Sequence, residues 1–208
     1  MSGQTLDEYF REHIFTPLGM ADTYFNVPEG KQARLVNVAV RGSDGRLAEQ
    51  PRQPPPTVTR FNGGGGLSST AADYIAFLQM ILNGGQRDGA RILAAETVAM
   101  MGRNQIGDVG VGALKTALPQ RSNDFSFVAD GRDKWGLGFL ITADQIQGKR
   151  SPGSLSWGGI NNTYFWIDPN RGIAGVIMMQ YLPFADAKAL AVYDAFERGT
   201  YQLVSATR

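Results

Sequence analysis

The last third of the chain constrains the fold most, because three stretches of strand-forming residues follow one another there. The stretches are WGLGFLIT (135–142), GSLSWGGINNTYFWID (153–168) and GIAGVIMMQ (172–180). Turn residues separate them, such as Pro-Asn-Arg-Gly at 169–172, and links this short join neighbouring antiparallel strands. We therefore predict an antiparallel meander of three strands.

Three segments before this sheet have the apolar periodicity of helices. The first begins at Thr5, which stands at capping-box spacing from Glu8, and is expected to end at Pro17. The second is the most regular, because Ser69 or Thr70 can cap it and Asn-Gly-Gly stops it. The segments are TLDEYFREHIFTPLGM (5–20), LSSTAADYIAFLQMILNGG (67–85) and LAAETVAMM (93–101).

The remaining segments complete an α+β arrangement. A hairpin is predicted at 34–50 around a Ser-Asp-Gly turn, a loop at 51–66 and a long connection at 103–134. A last helix at 185–203 is expected to cover the sheet. The residues predicted on its buried face are Ala189, Val192, Tyr193 and Phe196. Helices, then a meander, then a covering helix predict an α+β fold with an antiparallel sheet flanked by helices.

Composition narrows the function. The chain has 208 residues and is 43% hydrophobic, which is enough for a sizeable core. Its net charge is only +1, so no basic surface for nucleic acid is expected. It has no cysteine, which excludes thiol nucleophiles and cysteine metal sites. Its single histidine, His13, excludes a metal site with several histidines. We expect no metal and no cofactor. No apolar run has the length of a membrane span, and the polar, acidic N-terminus is not a signal peptide.

Few residues outside the strands suggest chemistry. His13 lies within an amphipathic helix, and we expect an ordinary surface histidine. The glycine-rich stretch at 61–66 lacks the Lys-Ser/Thr sequence of a phosphate-binding loop, so a tight turn is expected instead. The carboxylates of the first helix are expected on its solvated face.

Three stretches, taken in order, resemble one family of enzymes. They are FREHIFTPLGMADTYFNVP, FNGGGGLSSTAADYIAFLQMILNGGQRDGARILAAETVAMM and WGGINNTYFWIDPNRGIAGVIMMQ. Together they are similar to the serine β-lactamase-like hydrolases, and more narrowly to the class C β-lactamase-related group with its penicillin-binding-protein-like enzymes and carboxylesterases. The resemblance implies a β-lactamase/transpeptidase-like fold, a small acyl substrate and relatives that are often periplasmic or secreted. The sequence leaves the compartment of this protein open.

The resemblance also implies three motifs, and the chain departs from it in two. The family's nucleophile is the serine of S-x-x-K, in which the lysine takes the serine proton, but no lysine here has a serine three residues before it. A tyrosine of Y-x-N assists as a further base. Tyr24-Phe25-Asn26 and Lys115-Thr116-Ala117 match Y-x-N and K-T-G only formally, outside the expected structural context. We therefore expect no catalytic residue in this chain, and we expect an N-terminal part of the fold to be absent.

The third motif lies on a strand beside the site, and Trp157-Gly158-Gly159 fits it. By this resemblance, the two glycines leave room for the acyl part of the substrate, and the N–H of Ile160 donates to the oxyanion. The alternative is a bulge or bend beside a packed tryptophan. Trp157 replaces the lysine that holds the carboxylate of a β-lactam, which favours an ester or uncharged substrate.

Two functions are consistent with this pattern. In the first, the chain is the C-terminal part of a serine hydrolase and is inactive alone. The whole enzyme forms an acyl-enzyme with an ester or an amide/β-lactam-type substrate, and the ester is preferred. Residues 1–134 then belong to the helical region with its connecting loops, and residues 135–208 to the sheet and last helix of one incomplete domain. Alternatively, it is a non-catalytic fragment, or a binding module that pairs with a separate N-terminal half or with itself. An exposed sheet edge would favour such association.

Overall fold

The computed structural model describes residues 2–126 and 132–207, so part of the predicted connection at 103–134 lies outside the described residues. The helices are α1 (Leu6–Phe10), a π-helical segment (Arg11–Phe15), α2 (Thr16–Leu18), a 3-10 helix (Glu29–Arg34), α3 (Ala71–Leu82), α4 (Ala95–Met101) and α5 (Ala187–Ala206). The strands are β1 (Ala39–Arg41), β2 (Leu47–Glu49), β3 (Gln86–Arg87), β4 (Ala90–Arg91), β5 (Lys134–Trp135), β6 (Leu140–Ile141), β7 (Leu155–Gly159), β8 (Thr163–Asp168), β9 (Ile173–Ile177) and β10 (Tyr181–Leu182).

The antiparallel meander is confirmed, but it has five strands in the order β5-β6-β7-β8-β9 rather than three. Two predicted strands are in fact hairpins. The stretch 135–142 turns back at Gly138, whose φ is 88°, and the stretch 153–168 turns back at Asn162, whose φ is 64°. Both residues have the left-handed conformation that glycine and asparagine adopt more readily than other residues, and this conformation ends a strand.

Helix α5 covers one face of the sheet. Its residues Ala189, Tyr193 and Tyr201 are buried against Tyr164 and Trp166 of β8. The predicted face was partly wrong, because Val192 and Phe196 are 50% and 39% exposed. The helix instead buries every fourth residue from Ala189 onward, which are Ala189, Tyr193, Glu197 and Tyr201. This orientation leaves Val192 and Phe196 at the border of the buried face.

Helix α3 lies on the other face of the sheet. The Thr70 side chain caps it by accepting a hydrogen bond of 3.2 Å from the Asp73 backbone N–H. The buried side chains of α3 belong to a second hydrophobic core, separate from the one between α5 and the sheet. This core contains Ala76, Leu78, Met80 and Ile81 of α3 together with Phe139, Ile141, Leu155, Phe165 and Ile167 of the sheet. The sheet is thus covered on both faces, by α5 on one and by α3 on the other.

The first helix differs from its prediction at the C-terminal end. Thr5 does precede α1, and its backbone N–H donates to the Glu8 carboxylate at 2.9 Å. Pro17 does not end the helix, because Phe15 before α2 keeps helical dihedrals (φ −69°, ψ −49°) and the helical backbone runs on from the π-helical segment into α2. The proline follows that π-helical segment, where the regular α-helical hydrogen-bond pattern is already replaced. The helical stretch ends at Gly19, which has a left-handed φ of 69°.

The predicted hairpin at 34–50 is confirmed as β1 and β2, and β1 also pairs in parallel with β10. This second sheet approaches the N-terminus of α5, where Arg41 of β1 forms an ion pair with Asp186. Burial acts against ionisation of Asp186, but its hydrogen bonds from Arg41 and the Ala189 backbone outweigh this, and the pKa of the carboxyl is lowered. Asp186 therefore caps α5 as a carboxylate.

Candidate functional site

The predicted site residues lie at the end of β7 and in the turn that follows it. Side chains alternate along the strand, so Trp157 points toward the α3 side and Gly158 toward the α5 side. The Trp157 ring meets the Trp135 ring edge to face, with 4.5 Å between centroids and 89° between planes. The ring of Phe125 lies 6.5 Å from that of Trp157. Sequence reasoning missed both neighbours, because neither lies in a recognisable motif.

The paired glycines have different surroundings. A Cβ added at Gly158 would lie 2.9 Å from Tyr164 Cδ1 and 3.2 Å from Phe184 Cε2, so close packing alone requires glycine there. A Cβ added at Gly159 would meet nothing closer than Thr163 Cβ at 3.7 Å. Packing therefore explains Gly158, but it does not explain Gly159, which is exposed at the end of the strand.

The turn fixes the direction of the Ile160 N–H. The Asn162 backbone N–H donates to the carbonyl of Gly159 at 2.9 Å, on the side of β8. In a trans peptide the N–H and the carbonyl point in opposite directions, so the N–H of Ile160 points away from β8. The β6 strand pairs only with Leu155 and Ser156, and none of the described strands pairs with β7 beyond them on that side. Ile160 itself is 46% exposed.

Comparison with known proteins identifies the family and the fold of the chain. The model of the Beta-lactamase family matches residues 1–198. The chain belongs to the beta-lactamase family. The predicted β-lactamase/transpeptidase-like fold is confirmed by solved structures, among them the LovD6 mutant of simvastatin synthase from Aspergillus terreus. That structure superposes with a TM-score of 0.78 at 24% identity, over 99% of this chain and 51% of that one.

Curated relatives within this beta-lactamase family include enzymes that transfer or hydrolyse acyl groups. The acyltransferase calJ of Penicillium decumbens is 27% identical over 94% of this chain and 48% of its own length. Lovastatin esterase of Penicillium rubens is 28% identical over 99% of this chain and 53% of its own length. Penicillin-binding protein 4 of Amycolatopsis lactamdurans is 31% identical over 86% of this chain and 42% of its own length. The chain thus spans about half the length of the curated relatives it matches.

The two formal matches to beta-lactamase motifs have structural partners. The hydroxyl of Tyr24 accepts a hydrogen bond of 2.7 Å from Lys31 Nζ, and Asn26 pairs with the backbone of Val58 through bonds of 2.7 and 2.9 Å. Lys115 is exposed and pairs with Asp124 at 2.8 Å, outside any of the described strands. These contacts support a structural rather than a catalytic role for both triplets.

A further prediction concerns His13, which lies away from β7. His13 is exposed and packs beside Tyr9, with 4.4 Å between ring centroids and 42° between ring planes, as expected for a surface histidine. Within residues 2–126 and 132–207, no group of three or more histidine, cysteine, aspartate or glutamate side chains could hold a metal ion. Across the same ranges, no helix is long and apolar enough to cross a membrane.

Proposed function

We propose that this chain is the C-terminal part of a serine acyl hydrolase or acyltransferase of the beta-lactamase family. In this proposal, the end of β7 binds the acyl group of a small ester, and the nucleophile comes from residues outside the chain. One observation carries the proposal: the Ile160 N–H, at the exposed end of β7, points away from β8 to a side where none of the described strands pairs with it.

The chemistry needs a donor at this place. A serine attacks the acyl carbonyl while a base takes the serine proton, and the carbonyl oxygen gains negative charge as the tetrahedral intermediate forms. The ester bond then breaks, and the leaving alcohol takes that proton and departs to give an acyl-enzyme. The Ile160 N–H donates to that oxygen together with a second N–H, that of the nucleophile itself. Gly159 adds no side chain beside this path. A Cβ there would meet only Thr163 Cβ, at 3.7 Å, so the space beside Gly159 is open.

Trp157 supports an ester or another uncharged substrate. The resemblance implies a lysine at this position in enzymes that hold the carboxylate of a β-lactam. Trp157 offers an indole that packs edge to face on Trp135 and carries no charge. Burial against such rings stabilises an apolar acyl chain, whereas a carboxylate placed there would lose its hydration.

The coding sequence upstream of codon 1 tests the proposal. We expect it to continue in frame and to encode S-x-x-K followed by Y-x-N. A serine and a lysine three residues apart at the start of a helix lie on one face, so the amine reaches the hydroxyl. In-frame stop codons immediately upstream would contradict the proposal and favour a chain that never meets a nucleophile.

A second candidate function is a module that pairs with a separate chain carrying the rest of the fold. Two surfaces favour it. The outer edge of β9 has no partner among the described strands, and its residues include no charge and no proline that would block pairing. Beside the buried face of α5 runs an exposed apolar stripe, formed by Val192, Phe196 and Leu203.

This candidate predicts that the isolated chain associates with itself when no partner is present. Replacing Val192 and Leu203 together by lysine is expected to reduce the association, because two charges then lie in the apolar stripe. The matched control replaces Ala191 and Gln202, which are exposed and lie off the stripe, by lysine. Light scattering after size exclusion gives the mass. A monomeric wild-type chain would contradict the prediction, as would an equal effect of the control.

A further inference from the structure

Asn162 lies in the turn that directs the Ile160 N–H, and its side chain is completely buried. Its Nδ2 donates to the carbonyls of Tyr181 at 2.8 Å and Pro183 at 2.9 Å. Its Oδ1 accepts from the Tyr164 hydroxyl at 2.8 Å and from the Asp186 N–H at 3.3 Å. The amide has two donors and two acceptor sites, so all of its hydrogen-bonding groups have partners.

These partners come from three different parts of the fold. Tyr164 lies on β8, Tyr181 on β10, and Asp186 at the N-terminus of α5. Burial raises the pKa of Tyr164 above its usual value, so its hydroxyl keeps the proton that it donates to Asn162. Asp186 is in turn held by its ion pair with Arg41. The Asn162 side chain is thus fixed from several directions.

The backbone of the same residue determines the site geometry. Asn162 has a left-handed φ of 64°, and its N–H donates to the Gly159 carbonyl at 2.9 Å. That bond fixes the peptide plane between Gly159 and Ile160, and with it the direction of the Ile160 N–H. Asparagine tolerates this conformation better than most residues, and the four hydrogen bonds of its side chain add to this preference.

We propose that Asn162 is the positioning residue of the site: its buried side chain holds the Gly159–Ile160 peptide in the orientation that presents the Ile160 N–H to the acyl oxygen. The inference rests on the proposed function of Ile160. Asn162 touches no reacting atom and acts only through the peptide plane. The sequence offered a hint in the Asn-Asn pair at 161–162, a common turn sequence.

The test measures the direction of the Ile160 N–H bond by its residual dipolar coupling in NMR. Asn162→Asp loses both side-chain donors, and Asn162→Gly loses the side chain but keeps the left-handed backbone. Asn161→Asp makes the same chemical change one residue away. All are made with Val192 and Leu203 replaced by lysine, so that association does not limit the spectra.

We expect the Ile160 coupling to change in both Asn162 variants while the couplings of Phe165 and Ile167 on β8 stay constant. The exchange rate of the Asn162 backbone N–H is expected to rise roughly tenfold, as for a lost hydrogen bond. Asn161→Asp should leave both readouts unchanged. An unchanged Ile160 coupling in both Asn162 variants overturns the proposal.

Failure of both variants to fold would also overturn it, because Asn162 would then support the whole fold rather than the turn. These readouts report bond direction, not catalysis. Their failure is therefore distinct from failure of the proposed function, which in-frame stop codons upstream or a labelled serine in this chain would show.

Discussion

Replacing Gly175 by alanine is expected to lower the free energy of unfolding by about 3 kcal/mol, in the range of severe overpacking. A Cβ at this position would lie 2.3 Å from Cη2 of Trp166, 2.5 Å from Cζ2 and 2.6 Å from Cζ3. The indole has no room to retreat, because Trp166 is fully buried and packs against Tyr193 and Tyr201 of α5. Urea unfolding followed by tryptophan fluorescence measures the change.

The control for this substitution is Gly199→Ala in α5. An added Cβ there meets nothing within 4 Å, and alanine in a helix is more favourable than glycine by about 0.5–1 kcal/mol. The same chemical change is therefore expected to have opposite signs at the two positions. Equal effects of both substitutions would show that the contact of Gly175 with Trp166 does not limit the packing of α5 on the sheet.

Glu197→Ala is expected to destabilise the chain by about 3–5 kcal/mol, because it leaves a buried cation without its carboxylate. Glu197 is completely buried in α5, and Arg150 is only 5% exposed. The Glu197 Oε1 accepts a bond of 3.2 Å from the Arg150 backbone N–H and lies 3.6 Å from its Nε, while Oε2 lies 3.5 Å from Lys149 Nζ. These contacts hold α5 to the loop that leads into β7.

Asp194→Ala is the matched control for Glu197→Ala. Asp194 lies one helical turn earlier and pairs with the same Lys149 at 2.6 Å, but its side chain is 44% exposed. A carboxylate this exposed contributes about 1 kcal/mol or less through such a pair, although Lys149 itself is only 13% exposed. If urea unfolding gives similar losses for the two variants, burial of the Arg150–Glu197 pair is not what stabilises this junction.

The order of helices and strands could be predicted, because it depends on local periodicity. Helix α3 shows this best, since its N-cap at Thr70 and its end at Asn83 both follow from the segment itself. The division of 153–168 into β7 and β8 was missed, although Asn161 and Asn162 are turn residues. The alternating bulky residues that follow them extended the predicted strand across the turn.

The site was predictable only in part. Trp157 through Ile160 came from the resemblance to the family, and no periodicity would have selected them. Three of the four side-chain partners of Asn162 lie 19, 21 and 24 residues along the chain, and the Arg150–Glu197 contact spans 47 residues. Contacts at such separations depend on how the sheet and α5 pack together, which no local sequence pattern specifies.

Covalent labelling of the isolated chain tests the central claim most directly. A fluorophosphonate reacts with a serine that a neighbouring base activates, and no lysine in this sequence follows a serine at the S-x-x-K spacing. We expect no labelled peptide by mass spectrometry after incubation with the probe, and no hydrolysis of p-nitrophenyl butyrate in parallel. Stoichiometric labelling of any serine among the 208 residues would contradict the account, because the nucleophile would then lie within the chain.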